Sequence, residues 1–249
     1  MRRVKVPLIS AAGREKRVTR ATGLINKLKS APPGRIIFFS DEKNFVVDPT
    51  YNPQNDRWIR FQDAPNAAGD AEAPVGKYLA RSKHPASAMF LGAVASTGEA
   101  SPPIWFPTGF RLDSEGYIES LKKTLIPWMR RVAAAHGPAS RPTHIIFQQD
   151  SAPAHRARKT LDFLRSEKIE FWTPEDWPPN SPDLNPLDYG IWSMVAEGAC
   201  KDRPPSVLAL KKSVGTYWRR MDPDKIRQIC RGFKPRLEKC VAANGSFFD

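Results

Sequence analysis

Three aspartates stand where one kind of secondary structure gives way to another: Asp41 in IIFFSDEKNF, Asp150 in HIIFQQDSAPAH and Asp188 in NSPDLNPLDYGIW. Two follow apolar, β-rich runs, and the third lies where a helix should open. Carboxylates in these contexts can converge on one edge of a sheet. Crowded without a counter-ion they would repel and raise one another's pKa, so such a cluster implies a cation. Mg2+ prefers hard oxygen ligands and keeps several waters, so a few carboxylates suffice. Two divalent ions ~3.5–4 Å apart can activate a water oxygen at neutral pH and relieve charge on a leaving oxygen, as phosphodiester cleavage requires.

Each position has a rival reading. Asp41 lies within β-branched and aromatic residues, and period-two alternation puts it on the same face as Phe39. A carboxylate there is costly unless it is liganded or at a strand end, and Glu42 beside it is a rival ligand. Asp150 could simply cap the helix that follows, a role compatible with binding metal. For the third acid both Asp183 and Asp188 are available. Asn185 is a natural N-cap and Pro186 a natural first helical residue, which puts Asp188 in the first turn, favourably placed against the helix dipole. Asp183, after Ser181-Pro182, reads more as a turn former, and both stay open at this point. His155, five residues after Asp150, could contact a phosphate, donate to a metal-bound carboxylate or simply pack.

The 249 residues can bury a sizeable core, and the 41% apolar composition is ordinary for a folded protein. No apolar run approaches the ~18–20 residues that cross a bilayer, so no membrane partner is expected. MRRVKVPLIS has no long apolar stretch or small-residue cleavage site, so no secretory signal is read. Cys200, Cys230 and Cys240 have no metal-ligand spacing, and an odd count fits a reduced intracellular compartment. The formal net charge is +13, with ten Lys and Arg in residues 1–35 against Glu15 alone, and a second basic concentration from Lys201 onward. Such surfaces suit a phosphate backbone, where each contact also releases counterions.

The elements that must position the acids can be read in outline. Residues 10–30 predict a basic amphipathic helix with Val18, Leu24, Ile25 and Leu28 at helical spacing, stopped by Pro32-Pro33-Gly34. Arg35–Val47, Ala88–Ala95, Ile104–Phe106, His144–Gln149 and Ile169–Trp172 predict strands. Residues 48–87, rich in Pro, Asn, Asp, Gly and Ala, read as a long excursion from the sheet. Ser114–Ala135 and Ala154–Lys168 predict helices, with a kink or break at Pro127. A helix from about Asn185 and two more complete the chain. Early strands joined by short turns, then strands alternating with helices, give an α/β fold: a mixed sheet flanked by helices, the ribonuclease H-like order. The division expected is a basic N-terminal linker helix over residues 1–33 and a catalytic domain over 34–249, with an insertion at about 48–87 and a helical C-terminal part.

At FSDEKNF, FQQDSAPAH and NSPDLNPLDYGIW the chain resembles the catalytic domain of mariner-like DNA transposases. AMFLGAVA resembles that family's strand after the first aspartate, and LISAAGREKRVTRATGLINKLK its linker helix. The resemblance runs from about residue 8 to about residue 225. The 37 residues between Asp150 and Asp188 resemble the subgroup with the longer gap. It implies a ribonuclease H-like fold and a triad of Asp41, Asp150 and Asp188, both catalytic and metal-binding, around two Mg2+ or Mn2+ ions. The final acid follows SPDLNP by two residues, which selects Asp188 over Asp183. Double-stranded DNA, as transposon ends and as target, is the implied partner. The resemblance also implies a homodimer acting in the nucleus. Family members carry N-terminal helix-turn-helix modules for which the residues before Asp41 leave no room, so reading of element ends is not expected of this stretch alone.

Two other functions compete. A structure-selective ribonuclease H-like nuclease would use the same acids on RNA–DNA hybrids or junctions, and strand transfer from a pre-cut 3′-hydroxyl separates it from a transposase. A domesticated, catalytically silent DNA-binding protein would have had no reason to keep all three acids. It should also show no stabilisation by divalent cations.

Overall fold

The computed structural model describes residues 9–32, 34–47, 86–137, 143–201 and 204–248. Most of the insertion expected at about 48–87 lies outside these residues. The described residues form a mixed five-stranded sheet in the order β3-β2-β1-β4-β5. The strands are β1 (Ile36–Val46), β2 (Ser87–Ala95), β3 (Ile104–Trp105), β4 (Ile145–Gln148) and β5 (Glu170–Phe171). β1 pairs antiparallel with β2 and parallel with β4; β2–β3 is antiparallel and β4–β5 parallel. This is the mixed sheet flanked by helices anticipated for a ribonuclease H-like fold.

β1 is central because its sequence is apolar on both faces. Ile36 and Phe38 point to one side, where Phe38 meets Trp128 edge-on at 5.2 Å. Phe39 and Phe45 point to the other, against Phe233 and Trp192. The first side is covered by a helix from Ser114 to His136, formed of α2 (Ser114–Ser120), a π turn at Leu121–Leu125 and α3 (Ile126–His136), together with α4 (Pro153–Arg156) and α5 (Arg158–Ser166). Pro127 has no N–H to give and its ring crowds the preceding turn. The chain accommodates it without a break, through the π turn immediately before it.

The second side is covered by α1 (Ala11–Ser30), α6 (Trp192–Cys200), α7 (Val207–Arg219), α8 (Pro223–Arg231) and α9 (Phe233–Ala242). Three helices thus follow α6 where two were expected. Asp222 caps α8 and Pro223 opens it, while only Gly232 separates α8 from α9. The single helix expected over 154–168 is two pieces, because Ala157 is extended (φ −58°, ψ 135°). No helix among the described residues is long and apolar enough to cross a membrane.

α1 differs from its expected face in one informative way. The residues it buries are Arg17, Ala21, Leu24 and Leu28, so an arginine takes the place foreseen for Val18. Arg17 is fully buried, and its guanidinium is satisfied on every side. Nε donates to Gly245 O (2.9 Å), Nη1 to Asn180 O, Ser181 Oγ and Asp183 Oδ1, and Nη2 to Asp183 Oδ2 (2.5 Å). A buried charge is tolerated when paired and bidentate. The cluster ties α1 and the chain after α9 to the loop that leads to Asp188. Of the basic N-terminal residues read as suiting a phosphate backbone, four are engaged within the protein, while Arg14, Lys16 and Lys29 are exposed. Arg20 donates to the carbonyls of Pro174 and Trp177, Lys27 pairs with Asp176, and Arg35 donates to Leu28, Ala31 and Pro32 carbonyls.

Removing Arg17 would leave Asp183 without its buried partner. Arg17→Met should therefore cost about 3–5 kcal/mol, read as a lower urea midpoint with an unchanged slope. A midpoint equal to wild type would show that the cluster carries no weight.

Candidate catalytic centre

The ladder itself brings two of the predicted acids together. β1 and β4 pair in register from Ile36↔Ile145 to Phe39↔Gln148. Continued by two residues, the same register sets Asp150 beside Asp41. Asp41 follows Phe39 to the α6 side, where Trp192 meets it, whereas the Asp150 carboxylate, beyond the end of β4, is turned to His155 of α4. Asp41 stands opposite Gly92 of β2.

The third acid arrives on a helix. Asn185 Oδ1 accepts from Leu187 N (3.1 Å), the cap expected, and its Nδ2 donates to Ser40 O (3.3 Å). Ser40 Oγ in turn donates to Gln148 O (3.0 Å). The helix opens with a π turn at Leu187–Ile191 and continues as α6. Trp192, about one turn after Asp188, donates its indole Nε1 to Asp41 Oδ2 at 2.6 Å. That bond fixes the helix on β1 and brings Asp188 into the field of the other two. A buried indole N–H needs an acceptor, a signal present in the sequence but not used. Gly92 makes room for it: a Cβ there would lie 2.6 Å from Trp218 and 2.9 Å from Trp192.

The charges respond as crowding requires. Asp41 is pushed well above the usual carboxylate range, first by burial, then by Asp188 and Glu42, although Trp192 opposes the shift. Asp188 is raised to about 6 by burial and by Asp150, against the pull of Lys43. Asp150 goes the other way. Burial alone would raise it, but His155 and the Ala152 N–H hold it low. His155 is 2% exposed; burial would lower its pKa, yet Glu42 and Asp150 together raise it to about 10.

Asp150 and Asp188 line a cleft of about 420 Å3 whose other wall is Trp177, Pro178, Pro179 and Asn180, with Asn185 at its base. Among the described residues, no three His, Cys, Asp or Glu side chains are already drawn together tightly enough to close around one ion. Asp41 Oδ2 is held by Trp192, and Asp150 Oδ1 by His155 Nδ1 (2.6 Å) and Ala152 N (2.8 Å). The donor set nevertheless suits a hard divalent cation. Asp41 Oδ1, Asp150 Oδ2 and both Asp188 oxygens have no hydrogen-bond donor among the described residues, and hard carboxylate oxygens of this kind are what such a cation takes. Asp183, the rival third acid, is taken up by Arg17. Glu42, the rival at the first position, is turned to His155 Nε2 (3.1 Å).

No family model matches the chain. The Tc3 transposase of a Caenorhabditis elegans transposable element is 29% identical over 102 residues, which is 40% of this chain and 30% of that protein. The chain therefore matches about a third of that curated relative's length. Among solved structures, the catalytic domain of the Mos1 mariner transposase superposes with a TM-score of 0.73 at 21% identity, covering 99% of this chain and all of that one. Mos1 comes from Drosophila mauritiana. A Mos1 mariner paired end complex with Mn superposes at a TM-score of 0.76 and 20% identity, covering 100% of this chain and 68% of that one. Sequence relatives and fold neighbours alike are transposases of the Tc1/mariner kind, and the resemblance read from the three motifs holds.

Two outcomes follow from this geometry. Asp188 has a folded pKa above its unfolded value near 3.8, so the stability it contributes is present below about pH 4 and lost as pH rises through about 6. In chelator at pH 8, Asp188→Asn should therefore be more stable than wild type by on the order of 1 kcal/mol after solvent screening, with the gain vanishing at pH 4. Equal melting temperatures at pH 8 would contradict the crowding. Gly92→Ala should cost about 1–3 kcal/mol by overpacking and shift tryptophan fluorescence as the Trp192 indole leaves Asp41. An unshifted spectrum with native stability would mean the indoles have room after all.

Proposed function

We propose that this chain is the catalytic core of a mariner-like DNA transposase: a metal-dependent nuclease that hydrolyses a phosphodiester at an element's end, and a strand transferase that joins the released 3′-hydroxyl to target DNA. The observation that carries the reading is that Asp41, midway along β1, Asp150, just after β4, and Asp188 lie within one another's electrostatic reach. They are brought together by the β1–β4 register and by the Trp192–Asp41 bond. The transposase identity of the sequence relatives and fold neighbours supports it.

In this reading Asp41, Asp150 and Asp188 would hold Mg2+ or Mn2+, two ions per site. When bound, the ions supply activation of water and charge relief on the leaving oxygen. The protein's own residues prepare the rest. Trp192 and His155 each occupy one carboxylate oxygen and so orient the other. Asp188, with a pKa of about 6, retains part of its proton near neutral pH until a cation replaces it. The proline-lined wall from Trp177 to Pro182 gives a backbone strand a rigid flank, and Lys43, whose charge reaches Asp188, is placed to meet a phosphate. Double-stranded DNA, as element end and as target, is the substrate. Action as a homodimer and in the nucleus is supported by the family resemblance alone.

The test uses labelled linear DNA with Mn2+ or Mg2+. Asp150→Ala should abolish nicking while DNA retention stays close to wild type, and chelator should do the same to the wild-type protein. Cleavage by Asp150→Ala at wild-type rate would remove the assignment. A pre-cut 3′-hydroxyl end that is never joined to target would leave a nuclease and not a transposase.

A further inference from the structure

His155 contributes no ligand in the reading above, yet it is the most completely engaged polar side chain near the centre. Nδ1 donates to Asp150 Oδ1 at 2.6 Å, and Nε2 donates to Glu42 Oε1 at 3.1 Å. Through its two ring nitrogens His155 thus joins the two carboxylates. Its position is fixed from three other directions. The ring packs on Tyr117 at 4.1 Å between centroids. Tyr117 Oη donates to Gln149 Oε1 (2.9 Å), and Gln149 Nε2 donates to the carbonyl of His155 (3.2 Å). The extended backbone at Ala157, which splits the expected helix, leaves His155 in the short turn α4, and Thr160 Oγ1 pins that turn at Ala154 O (2.7 Å).

The bridge does something the ladder cannot. The parallel pairing of β1 with β4 ends at Phe39↔Gln148, short of the acids. Beyond that point, Glu42 on β1 and Asp150 after β4 are linked only through this ring among the described residues. Both hydrogen bonds to the Asp150 carboxylate fall on Oδ1, so the rotation that leaves Oδ2 available is the one the bridge selects. Without the ring, Glu42 and Asp150 would face each other as bare carboxylates and Asp150 could turn away.

We propose that His155, anchored by Glu42, is a positioning residue that holds Asp150 with Oδ2 presented to a divalent cation. The inference rests on the reading of the three acids as a metal centre. Outer partners of ligating carboxylates commonly contribute 10–100-fold in metal affinity or activity.

The test measures Mn2+ binding by titration calorimetry on the full chain, alongside nicking kinetics and DNA retention. His155→Ala should weaken Mn2+ binding and lower kcat, each by about 10–100-fold, with the KM for DNA unchanged. His155→Asn, whose amide can donate to Asp150 in place of Nδ1, should recover most of both. His155→Gln, which reaches toward Glu42 and not Asp150, should not. If His155→Ala does not fold, the Asn and Gln variants decide the matter between them. Wild-type protein that binds Mn2+ while His155→Ala binds it equally well would overturn the positioning role alone, as would Asn and Gln variants that behave alike. Wild-type protein that binds no Mn2+ would instead overturn the metal reading of the three acids, and this inference with it.

Discussion

Like charges repel, and this fold forces carboxylates together. Asp41 and Glu42, midway along β1, meet Asp150 just beyond the end of β4, and Asp188 is pressed in from a helix start. The raised pKa values of Asp41 and Asp188 register that repulsion, after burial itself, as a standing cost. Much of the surrounding structure exists to hold the arrangement. Trp192 ties the helix to Asp41, Asn185 ties its first turn to Ser40, and Ser40 ties β1 to β4. Each link uses a buried polar group that would otherwise need a partner.

The two ends of the carboxylate set are treated differently. On the α6 side the donor is a neutral indole, and the acids remain short of positive charge. On the α4 side the His155 ring lies between Glu42 and Asp150 and holds Asp150 low, while burial first, then Asp188 and Glu42, push Asp41 high. A centre built this way has one settled carboxylate, one strongly destabilised one and one poised near 6.

The basic character of the chain divides in the same way between structure and surface. Arg17, Arg20, Lys27 and Arg35 were reasonable candidates for a DNA backbone, but all are engaged within the protein. Arg236 likewise donates to Asp183 O and lies over the Tyr189 ring at 4.1 Å. Net charge speaks to partners in general; which cations remain for a partner is set by packing.

The sequence alone determined the strands, most of the order of elements and a short set of candidate acids. Apolar runs with β-branched and aromatic residues can only be buried strands, and Asn185-Pro186 can hardly be read other than as a helix start. These signals are local, carried by neighbours within a few residues. What the tertiary structure decided was non-local. A register between β1 and β4 set Asp41 beside Asp150 across more than a hundred positions of chain. Arg17 was turned from a surface cation into a buried clamp on Asp183, which took that acid out of contention. His155, one histidine with several readings, became a bridge because Glu42 happened to face it from the next strand. Periodicity tells which face a side chain takes, but only closure of the sheet and its helices tells what it will find there.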